Sequence, residues 1–575
     1  MKTRPLKDLT ATTVLVFIIM GLSVGSVSGK GMEEYFQPVP EEYYDAVTFE
    51  MPKVQVPTFP DRSVSITDFG AVPDGETLNT EAFGKAIADV ANAGGGTVIV
   101  PRGLWLTGPI HLQSNVNLHL EEGAYILFSD NFELYPIVKT SYEGEEGFRC
   151  TSPITASNVE NVAITGEGVI DGSGGAWRPV KKFKMTEGQW EELLNSGGNL
   201  NKEGDIWYPT KSALRGSRIP DDSLQTREDY QSVKVYLRPV MVSIRESNNI
   251  LLDGPTFQNS PNWNIHPLMS ENLVIRNLTV RNPWYAQNGD GLDLESCTNA
   301  VVYGNSFDVG DDAICLKSGK NEEGRERGMP TQNIIVRENV VYHGHGGFVV
   351  GSEMSGGVRN IHVSDLTFNR TDVGVRFKST RGRGGTVEDI YISDIDMVDI
   401  QTEPIRFNLF YGGEAPAPGQ NVEVVDKGKL KEQIPPVTVE TPRFQDIHIR
   451  NIVCRGAETA MWIQGLPEMN VQNMTLENIL ITAQTGAQVI DVNGLNLRNV
   501  QISAEEGPWF YLNNGSNVSL EDISLRNIGS GQETSGLRIE GPFTENISLR
   551  DVRMDNILER ISTGPNVDAN AVVDE

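Results

Sequence analysis

The sequence predicts an all-β protein folded as a parallel β-helix, a solenoid in which short strands stack coil upon coil. The first observation is a repeated strand-like motif. A polar residue precedes alternating apolar positions in ENLVI from Glu271, TNAVV from Thr298 and QNIIV from Gln332. Most copies begin 23 to 34 residues apart, which indicates an internal repeat. The second observation is that no helical pattern alternates with the strands, so βαβ units are disfavoured. A β-propeller would need blades of about 40 residues or more.

Recurrent Asn residues precede many of these strands. Asn tolerates left-handed turn conformations, and its side chain can bond the turn backbone. We therefore expect the asparagines to form the turns between strands.

The ends of the repeat define the predicted organisation. A helix from about Thr80 to Asn92 is expected to cap the open N-terminal end, because terminal solenoid units must cover the core. The expected divisions are an N-terminal extension at 30–62, a β-helix catalytic domain at 63–563, and a flexible tail at 564–575.

Residues 173–240 interrupt the repeat with a Trp- and Lys-rich segment of helix and loop character. Long insertions in solenoids map to loops on one face, often the binding face. We expect this loop insertion either to take part in binding or to be a packing excursion. Its Trp177, Trp190 and Trp207 are suited to packing the insertion or to stacking on a bound ligand.

The first residues have the layout of an export signal. A basic start, MKTRPLKDL, precedes the apolar run TATTVLVFIIMGLSVG and a small-residue cleavage region near Gly29 or Lys30. A membrane anchor is the alternative, because the apolar run approaches the length that crosses a bilayer. We expect residues 1–29 to be a cleaved signal peptide and the protein to be exported to the periplasm or the extracellular space.

The net charge of −29 makes nucleic acid and anionic membranes poor partners. An acidic substrate would need a local basic patch against this background. The four cysteines are too few and too scattered for a disulfide scaffold, and we expect buried free thiols. We expect the protein to be a monomer.

Five aspartates gather in the stretch NGDGLDLESCTNAVVYGNSFDVGDDAICLKSG. Asp290 and Asp311 are 21 residues apart, close to one coil, so we expect them on adjacent coils with Asp312 beside them. Such a cluster suits hydrolysis of a bond, a Ca²⁺ site, or turn aspartates that bond their own backbone. For Asp293 and Asp308 we favour the turn interpretation.

Basic residues follow on later coils. His345 lies in HGHGG, where small neighbours let a ligand approach closely. Arg376 and Lys378 alternate with Phe377, so both point to one face of a strand. This pair suits a negatively charged sugar, because Arg binds a carboxylate bidentately and Lys adds a point charge. Lys317 is close enough in sequence to the aspartates to contribute. A solvated charged face is the alternative.

The order NGDG, GDD, GHG and RFK resembles glycoside hydrolase family 28, the polygalacturonase family of right-handed parallel β-helices. The family pattern is NTDG, GDD, GHG and RIK, and the differences at Gly289 and Phe377 fall between the functional residues. The resemblance covers roughly residues 65–560. The segment NEEGRERGMP and the 173–240 insertion are more similar to bacterial exo-acting members. The resemblance implies no metal, no organic cofactor, and an acidic plant polysaccharide or oligogalacturonide as substrate.

Carried over residue by residue, the resemblance implies that Asp311 is the general acid and that Asp290 and Asp312 activate water for inversion. Inversion needs carboxylates about 6.5–9.5 Å apart. Like-charge crowding is expected to raise the pKa of Asp311, so that it keeps its proton. The other implied roles are tuning of the cluster by His345, galacturonate binding by Arg376 and Lys378, positioning by Asn288, and a sugar contact at Tyr411.

We therefore expect a hydrolase that cleaves α-1,4-galacturonosyl bonds of pectin (polygalacturonan) as an exo-polygalacturonase that releases galacturonic acid, with the insertion as the blocking wall. Rhamnogalacturonan or decorated galacturonan stay open as substrates. One alternative is a pectate-lyase-like β-eliminase on the same fold, which would use Ca²⁺. Another is a polysaccharide-binding adhesin, which would not need an Asp pair with His, Arg and Lys on successive coils.

Overall fold

Short parallel strands stack in three columns, which form the three faces of a parallel β-helix. Within the described residues, 34 strands belong to one continuous sheet wound into coils. The predicted all-β parallel solenoid is therefore confirmed. The computed structural model describes residues 30–45, 47–220, 223–412, 427–530 and 535–574, so the predicted signal peptide at 1–29 lies outside it.

The strands are short because each crosses only one face of a coil. The first are β1 (Ser63–Ser65), β2 (Gly96–Val100), β3 (Gly103–Thr107), β4 (Ile110–His111), β5 (Val116–Leu120), β6 (Ala124–Phe128), β7 (Ile137–Tyr142), β8 (Glu145–Cys150), β9 (Ile154–Ser157), β10 (Glu160–Gly166), β11 (Val169–Asp171), β12 (Val180–Lys181), β13 (Asn199–Leu200) and β14 (Ile206–Tyr208). The central strands are β15 (Val242–Arg245), β16 (Asn248–Asp253), β17 (Thr256–Gln258), β18 (Ile265–Leu268), β19 (Glu271–Arg276), β20 (Thr279–Arg281), β21 (Leu292–Glu295), β22 (Thr298–Tyr303), β23 (Ser306–Asp308), β24 (Asp312–Lys317), β25 (Thr331–Arg337), β26 (Val340–His343) and β27 (Gly346–Gly351).

The C-terminal strands are longer, because several continue around a corner of the coil. They are β28 (Val358–Asn369), β29 (Val373–Lys378), β30 (Thr386–Val398), β31 (Ile405–Asn408), β32 (Arg443–Arg455), β33 (Thr459–Gln464), β34 (Val471–Asn527), β35 (Ser535–Glu540), β36 (Glu545–Arg550), β37 (Arg553–Asp555), β38 (Glu559–Thr563) and β39 (Val572–Asp574). The α-helices are α1 (Glu42–Asp45), α2 (Thr80–Asn92), α3 (Glu187–Asn195), α4 (Lys211–Gly216), α5 (Arg227–Ser232), α6 (Asn321–Arg327) and α7 (Lys427–Gln433).

Parallel pairing between successive coils defines the faces. The groove face runs through β4, β9, β15, β18, β21, β24, β27, β29, β31, β33, part of β34, β35 and β38. A second face, which we call the strap face because the N-terminal extension lies along it, runs through β1, β2, β5, β10, β16, β19, β22, β25, parts of β28, β30, β32 and β34, then β36 and β39. The third face runs through β3, β6, β11, β17, β20, β23 and β26, parts of β28, β30, β32 and β34, and β37.

Inward side chains of the groove face stack in register and fill the core. Each lies opposite the next on the following coil and is fully buried: Ile265, Leu292, Ile314, Phe348, Val375 and Ile405. Burying such a side chain contributes about 1.5–3 kcal/mol relative to exposure. Because the strand period is two, the alternate positions of the same strands point outward and are free to carry polar groups.

Asparagines line the turns, as predicted. Asn272, Asn299, Asn333 and Asn360 all have φ near +55°, in the left-handed region. Their amides bond to one another: Asn299, Asn333 and Asn360 each donate Nδ2–H to Oδ1 of the Asn on the preceding coil, at 3.0 to 3.3 Å. The expectation of left-handed turns is confirmed. The predicted bonding to backbone is confirmed at another corner of the coil, where Asn305 and Asn339 donate to the carbonyl oxygens of Ile275 and Val302.

The N-terminal extension lies along the strap face; we refer to residues 30–45 and 47–59 as the strap. Its Val39, Tyr43 and Val54 are buried in one cluster with outward side chains of that face. Arg276 anchors the strap by donating hydrogen bonds to the carbonyl oxygens of Tyr35 and Gln37 at 2.8 and 2.9 Å. The strap is therefore part of the folded domain.

The ends of the solenoid are also ordered. Helix α2 covers the N-terminal end with buried Phe83, Ile87 and Val90, which confirms the predicted helical cap. At the other end, β39 pairs in parallel with β36. This part of the predicted flexible tail therefore continues the coil pattern.

The insertion contains α3, α4, α5 and a small antiparallel sheet in the order β12, β14, β13. Its Trp177, Trp190 and Trp207 are only 1%, 6% and 7% exposed, so they pack the insertion and offer no open ring to a sugar. The four cysteines are free and buried, as expected. Among the helices described, none combines the length and apolarity needed to cross a bilayer.

Candidate active site

Three carboxylates meet on the groove face. Asp290 lies just before β21, and Asp311 and Asp312 lie at the start of β24, the strand that pairs with β21. Carboxylate oxygens of all three residues lie within 4.8 Å of one another. The predicted stacking of the two motifs on neighbouring coils is therefore what brings these side chains together.

Inversion is expected to need about 6.5–9.5 Å between the carboxyl groups, so that water fits. Neighbouring coils are about 4.8 Å apart, and side-chain direction adds to that spacing. The 4.8 Å limit given above joins one oxygen of each residue, and the expected separation of the carboxyl groups stays a prediction. Three acidic groups at this distance could share a cation, but Asp311 and Asp312 already have cationic partners, and we assign no metal to them.

Asp312 is held by the two cations of the RFK motif. Lys378 donates from Nζ to Oδ2 of Asp312 at 2.7 Å, and Arg376 donates from Nη1 to Oδ1 at 3.5 Å. Gly346 packs beside this pair: a Cβ there would be 3.4 Å from Asp312 Oδ1 and 3.5 Å from Arg376 Cδ, but only 2.3 Å from Val349 Cγ2. A larger residue at this position would therefore clash with Val349. Tyr411 lies at the same place, with its ring centroid 5.3 Å from Lys378 Nζ.

Asp311 is paired with His345, whose Nδ1 lies 3.1 Å from Asp311 Oδ1. The other ring nitrogen, Nε2, is 3.3 Å from Nζ of Lys184 and 3.6 Å from a carboxylate oxygen of Asp372. Lys184 comes from the insertion and is only 8% exposed. The insertion therefore reaches the carboxylate cluster through a buried lysine.

Within the cluster, the pKa that is raised belongs to Asp290 and not, as predicted, to Asp311. Burial raises the pKa of Asp290 well above its ordinary value, and the charges of Asp293 and Asp311 raise it further. Burial would also raise the pKa of Asp311, but the hydrogen bond and charge of His345 lower it below its ordinary value, helped by Lys378 and Lys184. The expectation that crowding raises the pKa of Asp311 was therefore wrong, because its cationic neighbours outweigh its acidic ones.

Asp293 is not a turn residue. It lies within β21, is fully buried, and has no hydrogen-bond partner for either carboxylate oxygen. Burial raises its pKa to about 8, against the opposing charge of Lys317. The turn interpretation was wrong here because the strand continues through this position. Asp308 ends β23 and is exposed.

Lys317 lies beneath the cluster rather than in the groove. It is 3% exposed, with Nζ 3.5 Å from Asp293 Oδ1 and 3.0 Å from Glu353 Oε2, and it lies over the ring of Trp263. Burial would raise the pKa of Glu353, but Lys317 and Lys378 lower it to about 2. The predicted substrate contact of Lys317 stays a prediction. Its charge compensates the buried acids.

Asn288 is fixed by the insertion. It has φ +54°, and its Oδ1 accepts a hydrogen bond from Nη2 of Arg238 at 2.9 Å. Arg238 is 8% exposed and also donates to the carbonyl oxygens of Pro261 and Gln287. The loop that carries Asp290 is thus positioned by a guanidinium from outside the coil.

A cavity of about 420 Å³ adjoins Asn288. Its walls are the β7–β8 hairpin, including Tyr142 and Arg149, and the insertion, including Tyr208 and Arg238. The guanidinium of Arg149 lies over the ring of Tyr142, 3.5 Å from its centroid. The groove is therefore walled on the side of the carboxylates that faces the insertion.

Two family models match this chain. The model of glycosyl hydrolases family 28 matches residues 197–430, and that of rhamnogalacturonase A/epimerase, pectate lyase-like, matches residues 63–189. A probable polygalacturonase of Vitis vinifera is 30% identical over 429 residues, covering 73% of this chain and 74% of that protein. The chain belongs to glycosyl hydrolases family 28. An exo-poly-alpha-D-galacturonosidase of Dickeya chrysanthemi is 29% identical over 70% of this chain and 64% of that protein.

Solved structures agree with the family assignment. The hyperthermoactive exopolygalacturonase of Thermotoga maritima is 31% identical, with a TM-score of 0.59 and coverage of 86% of this chain and 94% of that one. A Yersinia enterocolitica family 28 exopolygalacturonase shares the fold at 22% identity and the same TM-score, over 81% of this chain and 78% of that one. The expected right-handed β-helix of family 28 is thereby confirmed.

The family 28 motifs predicted most of the site, and the structure adds residues that they do not contain. The additions are Lys184, Arg238, Asp293, Glu353 and Asp372. The lysine-rich run KKFK was a visible signal for Lys184, but nothing in the sequence indicates which lysine reaches His345. For Asp293, the signal was its place in an apolar strand, LDLE.

Proposed function

We propose that this protein is an exo-polygalacturonase that hydrolyses α-1,4-galacturonosyl bonds of polygalacturonan and releases galacturonic acid from the non-reducing end. The observation that carries the proposal is the Asp290, Asp311 and Asp312 cluster within reach of Arg376 and Lys378 on one face. Carboxylates supply acid and base for glycoside hydrolysis, and adjacent cations suit a uronate. The names of the family relatives support the same substrate.

In the proposed mechanism, the proton that burial favours on Asp290 in the unliganded enzyme passes to Asp311 when substrate binds. Asp311 then protonates the leaving glycosidic oxygen, while Asp290 and Asp312, as carboxylates, activate a water molecule on the opposite side of the sugar. His345 orients Asp311 through the 3.1 Å contact. The expected outcome is inversion of the anomeric configuration. Because the nearest carboxylate oxygens are within 4.8 Å, stereochemistry needs a direct test. Proton NMR of the first-formed product should show the β-anomer; an α-anomer would contradict inversion.

Substrate binding helps to place the proton on Asp311. Without substrate, Lys378 and Lys184 help to hold the pKa of Asp311 below its ordinary value. A bound uronate brings a negative charge beside Lys378 and Arg376 and so offsets this effect. The pKa of Asp311 should therefore rise in the complex, because the nearby net positive charge falls. Tyr411, which is 38% exposed beside both cations, provides a ring surface for the sugar.

Exo action follows from the wall beside Asn288. The β7–β8 hairpin and the insertion line the cavity of about 420 Å³, which reaches Asn288, two residues before Asp290. A chain end fits such a cavity, whereas continuous binding on both sides of the cleaved bond needs an open groove. We attribute the non-reducing end specificity to this enclosure.

Product analysis tests the proposal. The purified protein should release galacturonic acid from polygalacturonate as the first product seen by anion-exchange chromatography. Early mixed oligomers would contradict exo action. Rhamnogalacturonan is the control substrate, because the second family model names a rhamnogalacturonase. Faster release from it would reassign the substrate. Ultraviolet-absorbing unsaturated products that disappear with chelator would instead indicate a β-eliminase.

The cellular setting is part of the same proposal. We propose that residues 1–29 direct export to the periplasm or the extracellular space and are then removed. The enzyme then acts as a monomer, without metal or organic cofactor, and binds neither nucleic acid nor membrane. N-terminal sequencing of the protein from its native host should begin near Lys30. Light scattering should give the mass of one chain.

A further inference from the structure

His345 is contacted on both ring nitrogens: Nδ1 faces a hydrogen-bond acceptor, and Nε2 faces a hydrogen-bond donor. Nδ1 lies 3.1 Å from Asp311 Oδ1, and Nε2 lies 3.3 Å from Lys184 Nζ. A lysine ammonium has donors but no acceptor. In contact with the Lys184 ammonium, the neutral form of the ring must accept at Nε2, so its proton resides on Nδ1, where it points at Asp311.

We propose that Lys184 is a positioning residue of the acid site: it occupies Nε2 of His345, directs the Nδ1–H to Asp311, and limits conversion of the ring to imidazolium. The proposal rests on the proposed function, in which Asp311 is the acid. Lys184 is a residue of the insertion, so the insertion would set the protonation of the site in addition to walling the groove. Lys184 also lies 3.4 Å from the carbonyl oxygen of Gly310, next to Asp311.

Asp372 opposes Lys184. Its carboxylate oxygen is 3.6 Å from the same Nε2 and would accept a hydrogen bond from a protonated ring. Burial would lower the pKa of His345, but the hydrogen bond and charge of Asp311 raise it, and Lys184 works against that rise. The other charged groups that influence this contact from neighbouring elements are Asp312, Lys378 and Lys181.

The titration of His345 tests the proposal directly. The protein has seven histidines, so ring signals of histidine-labelled enzyme can be followed by NMR, with His345→Gln identifying the relevant one. In Lys184→Met the pKa of His345 should rise by about one unit or more, because a neighbouring cation is removed. The Nδ1–H tautomer should also lose population. Lys184→Arg should keep values close to wild type.

Asp372→Asn should shift the pKa of His345 in the opposite direction. It keeps the proposal testable if Lys184→Met does not fold. It should lower the pKa of His345, because it removes a nearby negative charge. Lys182→Met is the matched control: Lys182 is an exposed lysine in the same run and should leave His345 unchanged. If neither Lys184→Met nor Asp372→Asn moved the titration, the proposal would be overturned, and Lys184 would be a packing residue.

The pH profile supplies the second readout. In Lys184→Met the alkaline limb of kcat on polygalacturonate should move to higher pH by about the same amount as the His345 titration, because the pair keeps its proton longer. A residue that only anchors the insertion would lower kcat equally at all pH values. The NMR measurement needs no substrate, so it remains decisive even if the protein proves inactive on polygalacturonate.

Discussion

Asp290 and Asp311 lie on adjacent coils yet differ in proton affinity, because different side chains face them. Asp290 is 3% exposed with acidic neighbours, and one of its oxygens has no hydrogen-bond partner. Asp311 faces His345, Lys378 and Lys184. The position of each residue on its coil therefore sets only the distance between the carboxylates. The charged side chains beside each carboxylate determine which one keeps a proton in the unliganded enzyme.

Asp311→Asn tests the acid assignment. Turnover of polygalacturonate should fall at least about 100-fold, because an amide cannot protonate the leaving oxygen. Substrate binding, measured by calorimetry, should be largely retained. Asp308→Asn is a matched control, since Asp308 is an exposed aspartate at the end of β23. Activity of Asp311→Asn within tenfold of wild type would contradict the role.

Asp293 makes stability depend on pH. Burial raises its pKa in the folded protein to about 8, above that of an unfolded aspartate at about 3.9. The folded state therefore binds more protons between these values, so this residue makes stability fall as pH rises from about 4 to 8, by at least about 1 kcal/mol.

Asp293→Asn removes this titration. Urea unfolding at several pH values should show a flatter pH dependence in the variant, with the largest relative gain near pH 8. Asp308→Asn, at an exposed site, should leave the dependence unchanged. Parallel pH curves for wild type and Asp293→Asn would show that Lys317 keeps Asp293 ionised.

At the scale of elements, the asparagine ladder joins one coil to the next through Asn272, Asn299, Asn333 and Asn360. Asn is suited to these positions because it adopts φ near +55° and also carries both a donor and an acceptor. Each ladder position thus combines a backbone requirement with a side-chain bond.

Two substitutions of Asn333 separate these contributions. Asn333→Ala should lower the free energy of unfolding by about 2 kcal/mol or more, because it strains the left-handed turn and removes two hydrogen bonds. Asn333→Gly keeps the turn accessible and should cost less. Urea denaturation measures both. Equal losses would show that the conformation at this turn contributes nothing.

The elements also show what the sequence could predict. Coils were predictable because a strand motif repeats, and the cluster of Asp290, Asp311 and Asp312 followed from a spacing of about one coil. The roles of Lys184 and Arg238 were not predictable, because the insertion has no repeat from which to infer its placement. The pKa of Asp311 was mispredicted because the hydrogen bond and charge of His345, with Lys378 and Lys184, outweigh the like-charge crowding that the spacing indicated.

At the scale of the whole molecule, a net charge of −29 opposes the approach of a polyanion. The cations that offset it, Arg376 and Lys378, are 16% and 9% exposed at their side chains and already pair with Asp312. The attraction of these two cations for a polyanionic substrate is therefore short-ranged, whereas the repulsion by the net negative charge extends over the surface.

Ionic strength should reveal this balance. Raising salt from about 0.01 M to about 0.15 M shortens the screening length from roughly 30 Å to roughly 8 Å. We expect kcat/KM on polygalacturonate to rise over this range, because long-range repulsion is screened more than contact at a partly buried site. A neutral chromogenic glycoside serves as the control. A steady fall with salt would show that local attraction dominates.

The strap covers a stripe of apolar side chains that stand opposite one another on successive coils. They are Ala163, Leu251, Val274, Val301 and Ile335, and the same row continues as His362, Tyr391, His448 and Thr475. The row changes from apolar to polar after Ile335, although Phe49 of the strap still lies near Tyr391, with ring centroids 6.4 Å apart. Versions of the chain shortened to begin after Phe59 would expose a flat apolar stripe that can bind a second molecule. Their solubility would fall although the groove is unchanged.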